Sequence, residues 1–264
     1  MDIARPALEP TAAAVAHDRA RIRYALLGAG TLLAGVWIVW LGAWLLGWRL
    51  DDLGIVPRQA HGLVGILTAP FAHASFEHLM SNTLPLGVLA TLTLYCYPRA
   101  ARLALPLIWL LSGLGVWLFA RSSVHVGASG IVHGLMLFLF VIGLLRRDRL
   151  AVVTSLVVFF LYGGMLLSVL PHEERISFEY HAAGAIAGVL AAFLFRRRDP
   201  RPAQKRYSWE QDSTREREDD ELEPPRAQDV PVLWQRSSGE SGNGHVIEFR
   251  PRPRAPDSPP PTLH

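Results

Sequence analysis

Val126-Gly127-Ala128-Ser129-Gly130-Ile131-Val132-His133-Gly134 opens a long apolar segment, yet it places a hydroxyl among glycines at a helix entrance. A serine between glycines is common in loops and carries little meaning alone. At the mouth of a membrane-spanning helix it is a candidate nucleophile, because small neighbours let another backbone approach its side chain. Its reading depends on which other residues reach the same depth.

The surrounding chain sets that depth. Half of the 264 residues are hydrophobic and 19% are charged, but the two populations are segregated. Up to about residue 195 the chain is strongly apolar; beyond it the chain is polar, charged and proline-rich. Nearly charge-free runs of roughly 18–25 residues are long enough to cross the hydrocarbon core of a bilayer. They fall at about 24–48, 77–95, 103–120, 127–145, 150–170 and 178–195. The first is too long for a signal-peptide core and no small-residue cleavage site follows it, so it reads as a retained anchor. The connection 49–76 is half apolar and long for a loop, and is expected to pack on or dip into the membrane surface.

Arginines precede span one and follow spans two, four and six, whereas the opposite connections hold Asp51, Asp52, Glu173 and Glu174. The positive-inside rule places both termini in the cytoplasm. The expected fold is an all-α, polytopic bundle of six transmembrane helices. Its organisation is a short N-terminal cytoplasmic arm (1–22), a six-helix domain (23–197) and a disordered cytoplasmic tail (198–264) whose composition offers no hydrophobic face to bury. Within the tail, the short island 230–234 resembles a docking motif, although a solvated tail explains it more simply. The sequence pI near 9.3 does not point to nucleic acid, because topology and lipid headgroups account for arginines at helix ends. One cysteine, Cys96, excludes an internal disulfide framework and a cysteine metal site.

Polar side chains inside spans are costly and usually have a nameable role. Spans two, four and six all enter from the non-cytoplasmic side. His78 and Asn82 lie in the first turns of span two, Ser129 in the first turn of span four and His181 in that of span six. A rise of about 1.5 Å per residue puts all four within roughly one turn of the same depth. A serine hydroxyl needs a base to take its proton, and imidazole can return that proton to a leaving amine. His78 and Asn82, at i and i+4, share a helix face and can both serve an oxyanion, with the Ser129 amide as a third donor. Gly184 and Gly188 form a small-xxx-small face that allows spans four and six to approach closely. His73, His78, His125, His133 and His181 are numerous enough for zinc. However, no His-Glu-x-x-His pattern is present and no carboxylate lies deep in spans two, four or six, so no metal is expected. The Gly-x-Ser-x-Gly elbow of soluble hydrolases is absent too.

Three blocks together resemble the rhomboid family of intramembrane serine proteases: the run 73–82 with His73, His78 and Asn82; Gly127-Ala128-Ser129-Gly130; and His181 with Gly184 and Gly188. The resemblance covers about residues 24–195. It implies Ser129 as nucleophile, His181 as general base and then acid, and an oxyanion hole from His78, Asn82 and the Ser129 amide. His73 would structure the first loop, and Gly127 and Gly130 would leave room at the nucleophile. It further implies single-span transmembrane substrates, no cofactor, and residence as a multi-pass protein in the cell's plasma membrane. A non-proteolytic relative that binds or escorts membrane helices is the alternative, although such relatives generally lose the serine or the histidine. Two positions depart from the family pattern. Ile66-Leu67-Thr68-Ala69 stands where many relatives carry a Trp-Arg pair, and His133 stands where some carry an aromatic that stacks on the catalytic histidine.

Overall fold

The computed structural model describes residues 11–171 and 177–201. The acidic loop 172–175 and the island 230–234 lie outside them. The described residues all belong to one unit, 1–203. Among the described residues, six helices are long and apolar enough to cross a membrane. They are α1 (Ala12–Leu46), α2 (Phe76–Cys96), α3 (Pro98–Phe119), α4 (Ser129–Arg146), α5 (Arg149–Tyr162, continued by a 3-10 stretch, Gly163–Val169) and α6 (Phe178–Phe195). The described residues contain no strand, only an isolated antiparallel bridge between Ile55 and His125. This is the expected six-span helical bundle.

Two boundaries differ from the sequence expectation, each for a local reason. Helix α1 begins at Ala12, so the second half of the expected arm is helical. The Thr11 hydroxyl accepts from the Ala14 amide and starts the helix before the apolar run does. At the other end, the packed chain continues past 197. The Asp199 carboxylate accepts from the Arg99 and Ala100 amides (3.0 and 2.9 Å), capping α3 at its proline-led start. The buried Arg146 guanidinium then donates to the Arg196, Asp199 and Pro200 carbonyls and pairs with Asp148 at 2.9 Å. A buried charge of this kind persists only when its donors are met. The first residues of the expected tail are therefore part of the bundle.

Helix α4 is the most buried of the six and packs against α6, α5, α2 and α3. Helix α1 lies outside, against α2. The outward faces carry Leu27, Ile38, Trp44, Phe160, Ile186 and Leu194 in the open. In water such a surface would aggregate; around a helical bundle it is the face presented to lipid tails.

The tightest contact is between α4 and α6. A Cβ on Gly184 would run into the Gly130 carbonyl, and one on Gly188 into the Gly134 carbonyl. Both helices thus carry a glycine every fourth residue at the crossing, and their backbones touch. Lipid tails are as apolar as leucine, so such packing, rather than a hydrophobic drive, holds spans together. Gly184→Val should therefore lower stability in detergent by about 1–3 kcal/mol through overpacking. Gly30→Ala, which enters open space on α1, should not lower it. Thermal unfolding of the two variants checks this.

Candidate active site

The long connection before α2 is a series of short helical turns (Leu50–Leu53, Ala60–Leu63, Gly65–Thr68 and Ala69–Phe71). It packs on α3 and on the loop leading to Ser129. Trp109 and Trp117, both on α3, donate their indole N–H to the Ile66 and Gln59 carbonyls, each at 3.0 Å. Arg58 donates to the Ala120 carbonyl at 2.8 Å. Ile66-Leu67-Thr68-Ala69 anchors the connection through these groups: the Ile66 carbonyl takes an indole, the Thr68 hydroxyl donates to the Leu53 carbonyl, and the Ala69 carbonyl accepts from the Gly127 amide.

That last bond fixes the approach to the serine. Gly127 has φ +112, a conformation that side chains rarely adopt, and a Cβ there would meet the His78 ring at 2.6 Å. The His73 Nε2 faces the Ala128 amide at 3.4 Å, and the His73 and His78 rings meet edge to face at 5.0 Å. His73 is fully buried. Burial, together with the neighbouring His78 ring, pulls its imidazole down to about 4, against the Phe71 carbonyl, which favours the charged form. His73 is then a neutral acceptor for the Ala128 N–H.

A second set of contacts joins this loop to α6. The His125 amide and carbonyl both bond to Ile55, at 2.9 Å. Its Nε2–H donates to the Arg121 carbonyl (3.1 Å), which leaves Nδ1 to accept from the Ser177 hydroxyl (2.7 Å). Ser177 is the N-cap of α6, and Arg121 pairs with Glu179 in the first turn of that helix at 3.3 Å. The sequence reading grouped His125 only with possible zinc ligands. Its place four residues before Ser129 is the signal that it braces the Ser129 loop against the helix carrying His181.

Around Ser129 the histidines are held by carbonyls. His181 Nδ1–H donates to the Ser168 carbonyl at 3.0 Å, which leaves Nε2 as the lone-pair nitrogen. The His133 ring stacks on it, centroids 4.0 Å apart and planes 12° from parallel. His133 Nδ1–H donates to the Ser129 carbonyl at 2.8 Å, and its Nε2 lies 3.0 Å from the Ser168 hydroxyl. Ser168 thus touches both rings, yet the sequence reading did not single it out. The Gly163-Gly164 pair, where span five turns from α to 3-10 helix, was the available signal.

The Ser129 side chain is buried and stands apart from the other hydroxyls. Thr83, Thr91 and Thr93 bond back to the carbonyl four residues earlier, and Ser81, Ser112 and Ser168 to the one three earlier. Among the described residues the Ser129 hydroxyl has no hydrogen bond, to His181 included. As the first residue of α4 it has no preceding turn to bond to. Asn82 is buried and gives one amide hydrogen to the His78 carbonyl at 2.9 Å, leaving the other unspent. The structure therefore gathers His73, His78, Gly127, Ser129, His133, His181, Gly130 and Gly184 at one end of the bundle, with Asn82 one turn deeper on α2.

Comparison with known proteins agrees with this architecture. A Rhomboid domain model matches residues 60–198, more than half of the chain. The chain belongs to the rhomboid family. An uncharacterized protein of Mycobacterium tuberculosis is 41% identical over 173 residues, covering 62% of this chain and 72% of that relative. One of Mycobacterium leprae is 35% identical over 173 residues, covering 62% of this chain and 68% of its own length. A candidate rhomboid protein of Acanthamoeba polyphaga mimivirus is 26% identical over 140 residues, half of this chain and 75% of the relative. Family membership and the six spans make this rhomboid protein an integral multi-pass membrane protein.

The His73 anchor makes rhomboid stability depend on pH with a definite sign. In the unfolded chain an imidazole takes its proton near pH 6.5, whereas folded His73 resists until about 4. Between these values the unfolded state binds more protons, so stability should fall as pH drops from 6.5 towards 4. His73→Gln, whose carbonyl oxygen can still accept from Ala128, should flatten part of that fall in thermal melts across this range.

Proposed function

We propose that this rhomboid protein is an intramembrane serine endopeptidase that cuts transmembrane-helix substrates near the non-cytoplasmic face. In this reading His181 Nε2 takes the Ser129 proton as Oγ attacks the scissile carbonyl. The tetrahedral oxyanion receives the Ser129 amide, unpaired in the first turn of α4, together with His78 and the remaining Asn82 hydrogen. Collapse of the intermediate breaks the C–N bond as His181 gives its proton to the leaving amine. Water, deprotonated by the same Nε2, then hydrolyses the acyl-enzyme. A cofactor has no part in these steps. Gly127 and Gly130 clear space for the substrate backbone, and the expected residence is the plasma membrane.

The observation that carries this reading is the orientation of His181. Its Nδ1–H is committed to the Ser168 carbonyl and its ring is clamped against His133, so Nε2 is the nitrogen left to act as base. A carbonyl thereby does the orienting that a carboxylate does in a three-residue triad. The Ser129–Nε2 bond then forms when substrate is bound, since catalytic hydrogen bonds are often long before that point.

A second reading, a non-proteolytic relative that binds or escorts helices, draws on the same open Ser129–His181 pair. Cleavage of a model single-span substrate in proteoliposomes separates the two. Ser129→Ala should abolish cleavage, and His181→Ala should lower it at least about a hundredfold, the low end for loss of a general base. Ser168→Ala keeps the orienting carbonyl and should retain most activity. Cleavage by Ser129→Ala at the wild-type rate would leave only the second reading.

A further inference from the structure

The opposite end of the bundle, away from Ser129, holds a polar hollow. It is a cavity of about 560 Å³ where α1, the α2–α3 turn, the α4–α5 turn and the segment after α6 meet. Ser129 begins α4 and Arg146 ends it, so at 1.5 Å per residue the two sites are roughly 25 Å apart, across the membrane. Five arginines line the cavity (Arg21, Arg99, Arg102, Arg146 and Arg201) against two aspartates. Both aspartates are already engaged: Asp148 holds Arg146 and the Ala151 amide, and Asp199 holds the Arg99 and Ala100 amides. Arg99 and Arg102 are exposed and have no side-chain partner among the described residues.

The wall also contains a donor with nothing to bond. Tyr97 is 1% exposed, its ring lies against the Arg146 guanidinium at 5.5 Å, and its phenol oxygen has no hydrogen-bond partner among the described residues. The Arg21 Nε nearby is buried and unpartnered in the same way. A buried O–H or N–H left unpaired is costly, and such a group is commonly completed by a molecule that binds beside it. Unspent cations and orphan donors together ask for an acceptor-rich anion, and a phosphodiester fits both.

We propose that this cavity binds the phosphate of an anionic glycerophospholipid from the cytoplasmic leaflet. The depth argues for lipid over a soluble phosphate. The hollow sits where six apolar spans end, at the level of headgroups, and basic pockets between spans on this side suit anionic headgroups. Arg99 and Arg102 would meet the phosphate oxygens, and the Tyr97 hydroxyl would donate from below.

Native mass spectrometry of the full-length protein in detergent, titrated separately with phosphatidylglycerol and phosphatidylcholine, tests the site. Phosphatidylglycerol should bind more tightly. The double variant Arg99→Gln/Arg102→Gln should weaken it by roughly thirtyfold, with phosphatidylcholine unchanged, about fivefold for each surface arginine removed. Tyr97→Phe keeps the ring packing and should weaken phosphatidylglycerol severalfold. Both variants should melt within a degree or two of the wild type, so that loss of binding is not loss of fold. Equal binding of the two lipids, or undiminished phosphatidylglycerol binding in either variant, overturns the site. Displacement of phosphatidylglycerol by inorganic phosphate at equal concentration overturns the lipid as its occupant.

Discussion

The backbone contact between α4 and α6 is the constraint on which the rest of this rhomboid protein depends. Gly130 and Gly134 on one helix meet Gly184 and Gly188 on the other, with no side chain between them. Ser129 precedes the first of these glycines by one residue, and His181 precedes Gly184 by three. The crossing therefore sets how far the hydroxyl can lie from the imidazole. In a membrane, where lipid competes equally for apolar side chains, close packing of this kind supplies the adhesion.

The second constraint is polar. His73, His78, His125, His133 and His181 are buried or half-buried, and all but His78 have a ring nitrogen facing a named backbone or hydroxyl group. In a low-dielectric setting an unmet ring nitrogen is costly, so these bonds also fix tautomers. His181 is the consequential case. With Nδ1–H spent on a carbonyl, its chemistry is confined to Nε2. Two braces, Arg121 to Glu179 and His125 to Ser177, hold the loop before Ser129 to the start of α6. The loop before Ser129 and the helix carrying His181 are thus tied by two polar contacts.

Much of this was legible in the sequence because membrane proteins write their topology in length and charge. Six apolar runs define the spans, arginine clusters at alternate connections orient them, and the depth of His78, Ser129 and His181 follows from where those spans begin. What escaped was whatever depends on a fold contact between distant segments. Ser168 matters through its carbonyl, which every residue has, so its identity carried no signal. His125 is one histidine among several until Ser177 is placed beside it. Asp199 looked like part of a polar tail, because nothing local shows that its carboxylate caps a helix a hundred residues earlier. The arginines at helix ends, read as signals of topology and lipid headgroups, also line one cavity once four segments converge.

The central claim, that Ser129 is a nucleophile activated by His181 Nε2, is most directly tested by covalent labelling. Purified protein treated with a mechanism-based isocoumarin or a fluorophosphonate would be read by intact mass and peptide mapping. One adduct on Ser129, lost in His181→Ala while the fold melts normally, is the predicted result. An unlabelled Ser129 in folded protein, or equal labelling with His181 removed, would contradict the account.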